Sequence, residues 1–305
     1  MNLIDRVYNK LGYILLESKL SILVIMGIVL VSKNHIYIDR YFIKFGRILK
    51  LVKEFESVSI TGTGVLIIFY KNNIVKYPLG NHSYKALHNE YNNDLLLKES
   101  RLLDLVDYFL EKKDGYFVME KLLDVTYPVQ EHKKICLQLS KIKSKNIELL
   151  ELLKNQAFSN ALEYIETECS DFHIEDILSL LKSKKNIKSY PMHGDLTQYN
   201  IMKNKEGNTV LIDLDRFDFS GIENIDRVHF AVEYYAKKRG EDFFVIIEHI
   251  LKNKNISEKY FYFLFLFFIY RIGVEYDVNV KLPFSYRNKM SKLIKLFLVR
   301  YKEVE

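Results

Sequence analysis

The chain has 305 residues, with 45 Lys and Arg against 39 Asp and Glu for a formal net charge of +6, and 49% of it is hydrophobic. That is enough chain for two lobes with their own cores, and with only 4 prolines no stretch has the composition of a linker. There are only two cysteines, Cys136 and Cys169, and they form no CxxC, so neither a disulfide framework nor a zinc site is indicated.

In chain order, the first feature is the apolar run Leu20 to Val31. It is shorter than the about 17 to 25 residues a transmembrane helix needs, so a buried or membrane-touching element, with burial preferred, is its first reading and a true membrane anchor its second. A cleaved signal peptide comes last, because no small-residue cleavage site follows. Gly46 to Glu56 places Ile48, Leu49, Val52 and Phe55 on one face and predicts a helix. Val58 to Thr61, Val65 to Tyr70 and Ile74 to Lys76 predict strands, separated by Gly62-Thr63-Gly64 and by Lys71-Asn72-Asn73. After the break at Pro78 and Gly80, Ser83 to Leu97 has helical character, and Glu90 is its only acidic residue before Asp94. Leu105 to Phe109 and Tyr116 to Met119, around the turn Lys112 to Gly115, predict two more strands. From Pro128 to Lys185 the apolar spacing is helical, as in Ile135, Leu139 and Ile142 and then Leu149, Leu150 and Leu153.

The densest signal follows. Met192-His193-Gly194-Asp195-Leu196-Thr197-Gln198-Tyr199-Asn200 precedes Ile212-Asp213-Leu214-Asp215-Arg216. Between them Ile201-Met202, a polar turn from Lys203 to Asn208 and the apolar Thr209 to Ile212 predict a short hairpin that brings Asn200 and Asp213 to one edge. A carboxylate for a substrate hydroxyl, Asp195, with Asn200 and Asp213 as oxygen donors for Mg²⁺, is the equipment for moving a γ-phosphoryl group, because positioning and charge neutralisation dominate that reaction. Asp215 reads as the partner of Arg216 or a nearby Lys before it reads as a ligand of a second metal. Beyond Asp226 the chain reads as helices again. The aromatic-rich run Tyr260 to Tyr270 is too short to span a bilayer and predicts a buried helix. Ser285 to Tyr301 places Met290, Leu293, Ile294, Phe297, Leu298 and Tyr301 on one face and predicts a packed terminal helix.

His-Gly-Asp-x-x-x-x-Asn followed by Ile-Asp-x-Asp resembles the aminoglycoside phosphotransferase and choline kinase superfamily, which shares the bilobal protein-kinase fold. The resemblance implies an α+β fold, with a small antiparallel N-lobe sheet and one helix over residues 56–121 and a mainly helical C-lobe over 122–305. Residues 1–55 are then an N-terminal extension with no assigned role. It implies ATP and Mg²⁺ as cofactors, Asp195 as the catalytic residue, and Asn200 and Asp213 as metal ligands. In such a lobe Gly62 and Gly64 form the Gly-containing turn, and Lys76 meets the nucleotide's α- and β-phosphates while pairing with Glu90. Glu120 and Leu122, within Met119-Glu120-Lys121-Leu122, become the hinge beside adenine, and His193 orients the catalytic loop. The wording around Asp226-Arg227-Val228-His229-Phe230 most resembles phosphotransferase-like proteins of bacterial surface-polysaccharide synthesis.

The chain also departs from protein kinases. Gly194 stands where they carry an Arg, and the short stretch from Asp213 to Asp226 with no Ala-Pro-Glu after it has little room for an activation segment. The acceptor expected is therefore a hydroxyl of a small molecule or a glycan. Phe217 to Pro283 holds ten Asp and Glu against nine Lys and Arg, which speaks against a polycationic aminoglycoside. The net charge instead favours an anionic partner such as a phosphorylated sugar, a lipid-linked glycan or a membrane surface. No basic motif interleaved with aromatics occurs, so nucleic acid is not expected. ATP use implies a cytoplasmic location, with peripheral contact at the inner face of the membrane as its variant. The alternative function is a kinase-fold binding or scaffold protein without turnover, against which the joint presence of Lys76, Glu90, Asp195, Asn200 and Asp213 speaks.

Overall fold

The computed structural model describes residues 55–304 apart from 62–63, 79, 101, 141, 143–144, 170–171, 184–186, 254 and 279–283. The run Leu20 to Val31, most of the helix expected from Gly46 to Glu56, and Gly62 lie outside the described residues. The fold is α+β, and the chain divides into two compact units. Among the described residues, the first comprises those up to Tyr127 together with Ile201–Arg216, and the second comprises those from Pro128 to Asn200 and from Phe217 onward.

The first unit is built on an antiparallel sheet of β1 (Ser57–Ile60), β2 (Val65–Phe69), β3 (Asn73–Pro78), β4 (Leu110–Lys113) and β5 (Tyr116–Glu120), in the order β1-β2-β3-β5-β4. Helix α1 (Asn81–Lys98) follows β3 after the Pro78 and Gly80 break. At its start the Gly80 N–H donates to Ser83 Oγ at 3.0 Å, and that hydroxyl donates back to the Gly80 carbonyl at 2.9 Å. Its inner face buries Leu87, Glu90, Asp94 and Leu97, two of them acids, so this face does more than pack.

The strand expected over Leu105 to Phe109 is corrected by the structure. Leu103–Val106 forms a 3₁₀ turn that buries Leu105 and Val106, and the strand is Leu110–Lys113. The physical reason is the tight turn at Asp114 and Gly115, where Gly115 takes φ 89°. That turn pairs Lys113 with Tyr116, so Leu110 must face Met119, and the residues before it are left to pack as a turn.

The expected hairpin is present, with Ile201–Lys203 paired antiparallel to Thr209–Leu211. Ile201 faces Leu211, so the strand ends that lead to Asn200 and to Asp213 lie side by side. β6 (Leu123–Asp124) pairs with the Ile201–Lys203 strand. That pairing groups residues 122–127 and 201–216 with the sheet, where the sequence reading draws one cut after Lys121.

The second unit is mainly helical: α2 (Pro128–Leu139), α3 (Leu149–Lys154), α4 (Gln156–Glu168), α5 (Ile174–Lys182), α6 (Ile225–Arg239), α7 (Phe243–Lys252), α8 (Glu258–Val278) and α9 (Phe284–Val304). Every residue of α8 from Phe261 to Tyr270 is buried, which makes it the central helix, as its all-round apolar sequence requires. Among the described residues no helix is long and apolar enough to cross a membrane. α9 contributes Met290, Leu293, Ile294 and Phe297 to the same core. α4 lies so close to α8 that a Cβ at Gly273 would sit 1.6 Å from the Ala157 carbonyl oxygen. That carbonyl is backbone and cannot yield as a side chain would. Gly273→Ala is therefore expected to lower the stability of the chain by roughly 1–3 kcal/mol or more, the range for overpacking a well-packed core. Urea unfolding of the two proteins measures it, and an unchanged midpoint would show that the two helices are not in this contact.

Candidate active site

In the first unit three separate stretches converge on one acid. Lys76 lies in the middle of the sheet on β3, opposite Ile67 on one side and Phe117 on the other, and its side chain is buried. Its Nζ donates to both carboxylate oxygens of Glu90, at 2.6 and 2.8 Å. Glu90 Oε1 also accepts the backbone N–H of Asp213 at 3.3 Å. Three residues along α1, Asn93 Nδ2 donates to the carbonyl of Leu214 at 2.7 Å. Helix α1 thus grips the turn after the hairpin at two points, and Asp213 is held there with φ 61°, a left-handed conformation unfavourable for a non-glycine residue. Burial alone would push the Lys76 ammonium's pKa down. The carboxylates of Glu90, Asp213 and Asp215 outweigh that and hold it above the ordinary lysine value, so Lys76 stays charged.

The other residues expected in this unit are placed less tellingly. Gly64 takes φ 81° and its N–H donates to the Thr61 carbonyl at 3.0 Å, which closes the β1–β2 turn. Glu120 ends β5, where its side chain accepts from the Phe109 N–H at 3.1 Å and meets Lys205 Nζ at 3.3 Å. Its backbone N–H donates to Phe109 O, that of Lys121 to Asn72 O, and the Leu122 side chain is buried.

In the second unit, the turn carrying Asp195 is set by a residue to which the sequence reading gave no role. Asp226, buried at the start of α6, accepts the His193 N–H at Oδ2 (2.6 Å) and the Gly194 N–H at Oδ1 (3.0 Å). Gly194 has φ 80°, and the Met192 backbone is bridged to Asp218 by two 2.8 Å hydrogen bonds. His193 is fully buried, and its Nδ1 accepts the Asp195 N–H at 3.3 Å, in line with the orienting part expected of it. Asn200 Nδ2 donates to the Asp195 carbonyl at 2.8 Å, which commits the amide nitrogen and leaves Oδ1 as the oxygen donor of that side chain. Burial pushes the Asp226 carboxyl's pKa up, while His193 and the two backbone N–H groups pull it back.

The Asp195 side chain has charged neighbours. Arg271 Nη1 on α8 donates to Asp195 Oδ1 at 3.1 Å, and Arg271 Nη2 donates to Glu275 one turn further on. His229 Nε2 is 3.7 Å from Asp195 Oδ1 and 3.9 Å from Glu233 Oε1. Burial pushes the Glu233 carboxyl's pKa up; Arg271 pulls it down, and Asp195, Asp242 and Glu275 push it up further. Two signals point to this group in the sequence. Asp226, His229 and Glu233 recur at helical spacing on one face of α6, and Arg271 with Glu275 forms an i,i+4 charge pair directly after the apolar run.

No family model matches the chain, and no curated protein matches it. Among solved structures it is similar to choline kinase LicA from Streptococcus pneumoniae, at 19% identity over 83% of this chain and 96% of that one, with a TM-score of 0.42. It is similar to LicA in complex with AMP at 18% identity over 84% and 96%, with a TM-score of 0.48. It is also similar to ADP-bound aminoglycoside phosphotransferase APH(2'')-Ib, at 14% identity over 86% and 99%, with a TM-score of 0.49.

The buried pair makes a direct test of the first unit. Removing one partner strands the other charge, so Glu90→Gln is expected to cost about 3–5 kcal/mol of stability. Adding Lys76→Met to it is expected to restore part of that loss. Denaturant unfolding of both single variants and the double one gives the coupling, and additive losses would mean that Lys76 and Glu90 are not paired in solution.

Proposed function

We propose that the chain is a phosphotransferase that moves the γ-phosphoryl group of ATP, with Mg²⁺, to a hydroxyl of a small molecule. The observation that carries this reading is the Glu90 carboxylate, which holds the Lys76 ammonium and the Asp213 backbone together. A buried lysine that neighbouring carboxylates keep charged addresses the nucleotide's phosphates, and a carboxylate fixed by its own backbone addresses the metal. Asp213 and Asn200 are the residues proposed to hold Mg²⁺. The donors fit that ion, since one is a carboxylate and the other an amide oxygen oriented by its own Nδ2 hydrogen bond. Mg²⁺ is commonly held by one or two protein oxygens, with waters and substrate phosphates as its remaining ligands, so two protein donors suffice. When bound, Mg²⁺ supplies neutralisation of phosphate charge. Asp195 orients the acceptor hydroxyl and takes its proton, from a turn that Asp226 and His193 fix.

For the acceptor, the local field counts for more than the chain's +6. Asp195, Glu233 and Glu275 stand around a single Arg271 and His229, and this excess of carboxylates favours a hydroxylated molecule that carries a positive group over an anionic sugar phosphate. This reverses the preference drawn from residue counts along Phe217 to Pro283. A place in surface-polysaccharide synthesis then requires an amino-bearing or amino-alcohol acceptor.

Asp195→Asn is expected to reduce transfer by roughly 100-fold or more, the scale of a lost general base, while ATP still binds. Asp213→Ala is expected to remove the Mg²⁺ dependence of nucleotide binding. An ATP-consumption assay over amino alcohols, amino sugars, neutral sugars and sugar phosphates, beside a thermal-shift titration with ATP, reads both. An Asp195→Asn protein that keeps most of its turnover would overturn the catalytic assignment. A wild-type chain that binds ATP and phosphorylates none of these classes would favour the binding-protein alternative.

A further inference from the structure

A guanidinium in the interior is costly unless its partners compensate, and Arg271 is an instance. It follows directly on the buried run Phe261 to Tyr270 of α8 and is itself only 15% exposed. Burial opposes its charge, yet Glu275 and Asp195 more than offset that and raise its pKa above the ordinary arginine value. Glu275, one turn along the same helix, would suffice as a counter-ion. The guanidinium instead divides its two terminal nitrogens between Glu275 and Asp195, a residue 76 positions earlier in the chain.

Two further features give that contact a purpose. The backbone of the Asp195 turn is fixed by Asp226 and His193 through its main-chain N–H groups, and those three hydrogen bonds are not made to the Asp195 carboxylate. The helix that carries Arg271 is immobilised two residues later, where Gly273 packs against the Ala157 carbonyl and accepts a hydrogen bond from Asn160 Nδ2 at 3.4 Å. A fixed backbone therefore presents a planar donor to the Asp195 carboxylate.

We propose that Arg271 is the positioning residue of Asp195, holding its carboxylate in the orientation that addresses the acceptor hydroxyl while Glu275 holds Arg271. This rests on Asp195 being the group that meets that hydroxyl. Arginine suits the position because its rigid fork reaches two carboxylates at once, whereas a lysine is a single point charge that can serve both only by compromise. His229 also faces Asp195 Oδ1 at 3.7 Å, but its nearest other carboxylate is Glu233, so it does not form the same bridge to Glu275.

The experiment uses the full chain with Arg271→Met, Arg271→Lys, Asp195→Asn and the double variant Asp195→Asn with Arg271→Met. Steady-state transfer to an acceptor found active with the wild type is measured, with melting temperature and ATP titration alongside. A misplaced catalytic group costs up to about 100-fold in rate, so Arg271→Met is expected to lower kcat on that scale with KM for ATP nearly unchanged. Arg271→Lys is expected to recover part of it. On the Asp195→Asn background the same substitution is expected to cause no further loss, because Arg271 acts only through Asp195. If Arg271→Met does not fold, Arg271→Lys is combined with Asp195→Asn, and the same absence of further loss is expected. A wild-type kcat in Arg271→Met, a loss that appears equally in KM for ATP, or a further loss on the Asp195→Asn background would overturn the proposal. If Asp195→Asn itself retains turnover, it is the assignment of Asp195 that has failed, and the two failures are thereby told apart.

Discussion

The first unit depends on one buried carboxylate. Glu90 is 2% exposed, and an ion so far from water survives only if its oxygens are fully engaged. They are engaged by the Lys76 ammonium and by the Asp213 N–H, which come from the central strand of the sheet and from the turn after the hairpin. Sheet, helix and hairpin are thus referenced to a single acid on α1. Its location also explains why Asp213 tolerates a left-handed backbone: the N–H that points at Glu90 and the Leu214 carbonyl that meets Asn93 together offset the conformational cost.

The second unit uses the same device at Asp226. Its two oxygens each take one backbone N–H of the His193-Gly194 pair, which fixes the turn without using any side chain that the chemistry needs. In both units a buried acid that takes no direct part in the proposed reaction holds main-chain N–H groups at, or just before, an acid that does. Precision therefore comes from charge-assisted hydrogen bonds between a carboxylate and main-chain N–H groups.

Much of this was legible in the sequence, for physical reasons. The strands, the hairpin and the helix carrying Glu90 announce themselves through apolar periodicity and turn residues, which are local. Lys76 and Glu90 could be paired because a strand and the helix that follows it are neighbours in the chain as well as in space. Where tertiary packing decides, local reading failed. Leu105 and Val106 look like strand residues, but the register set by Gly115 turned them into a packed turn. Asp226 and Arg271 reach the Asp195 turn from 31 and 76 positions away, and no local pattern says where a distant helix will lie. Charge counting is blind in the same way: nearly equal numbers of acids and bases along Phe217 to Pro283 do not register the local gathering of Glu233 and Glu275 near Asp195, because α6 and α8 turn those side chains toward the same turn.

The central claim is that a γ-phosphoryl group moves from ATP to an acceptor hydroxyl, and phosphorus NMR observes that event without a coupling enzyme. The purified chain is incubated with ATP, Mg²⁺ and hydroxylated acceptors that carry an amine or ammonium group. The account predicts a new phosphomonoester resonance that grows as the γ-phosphate signal falls, and that does not form without Mg²⁺. Persistence of intact ATP, or release of inorganic phosphate alone across the whole acceptor set, would contradict it.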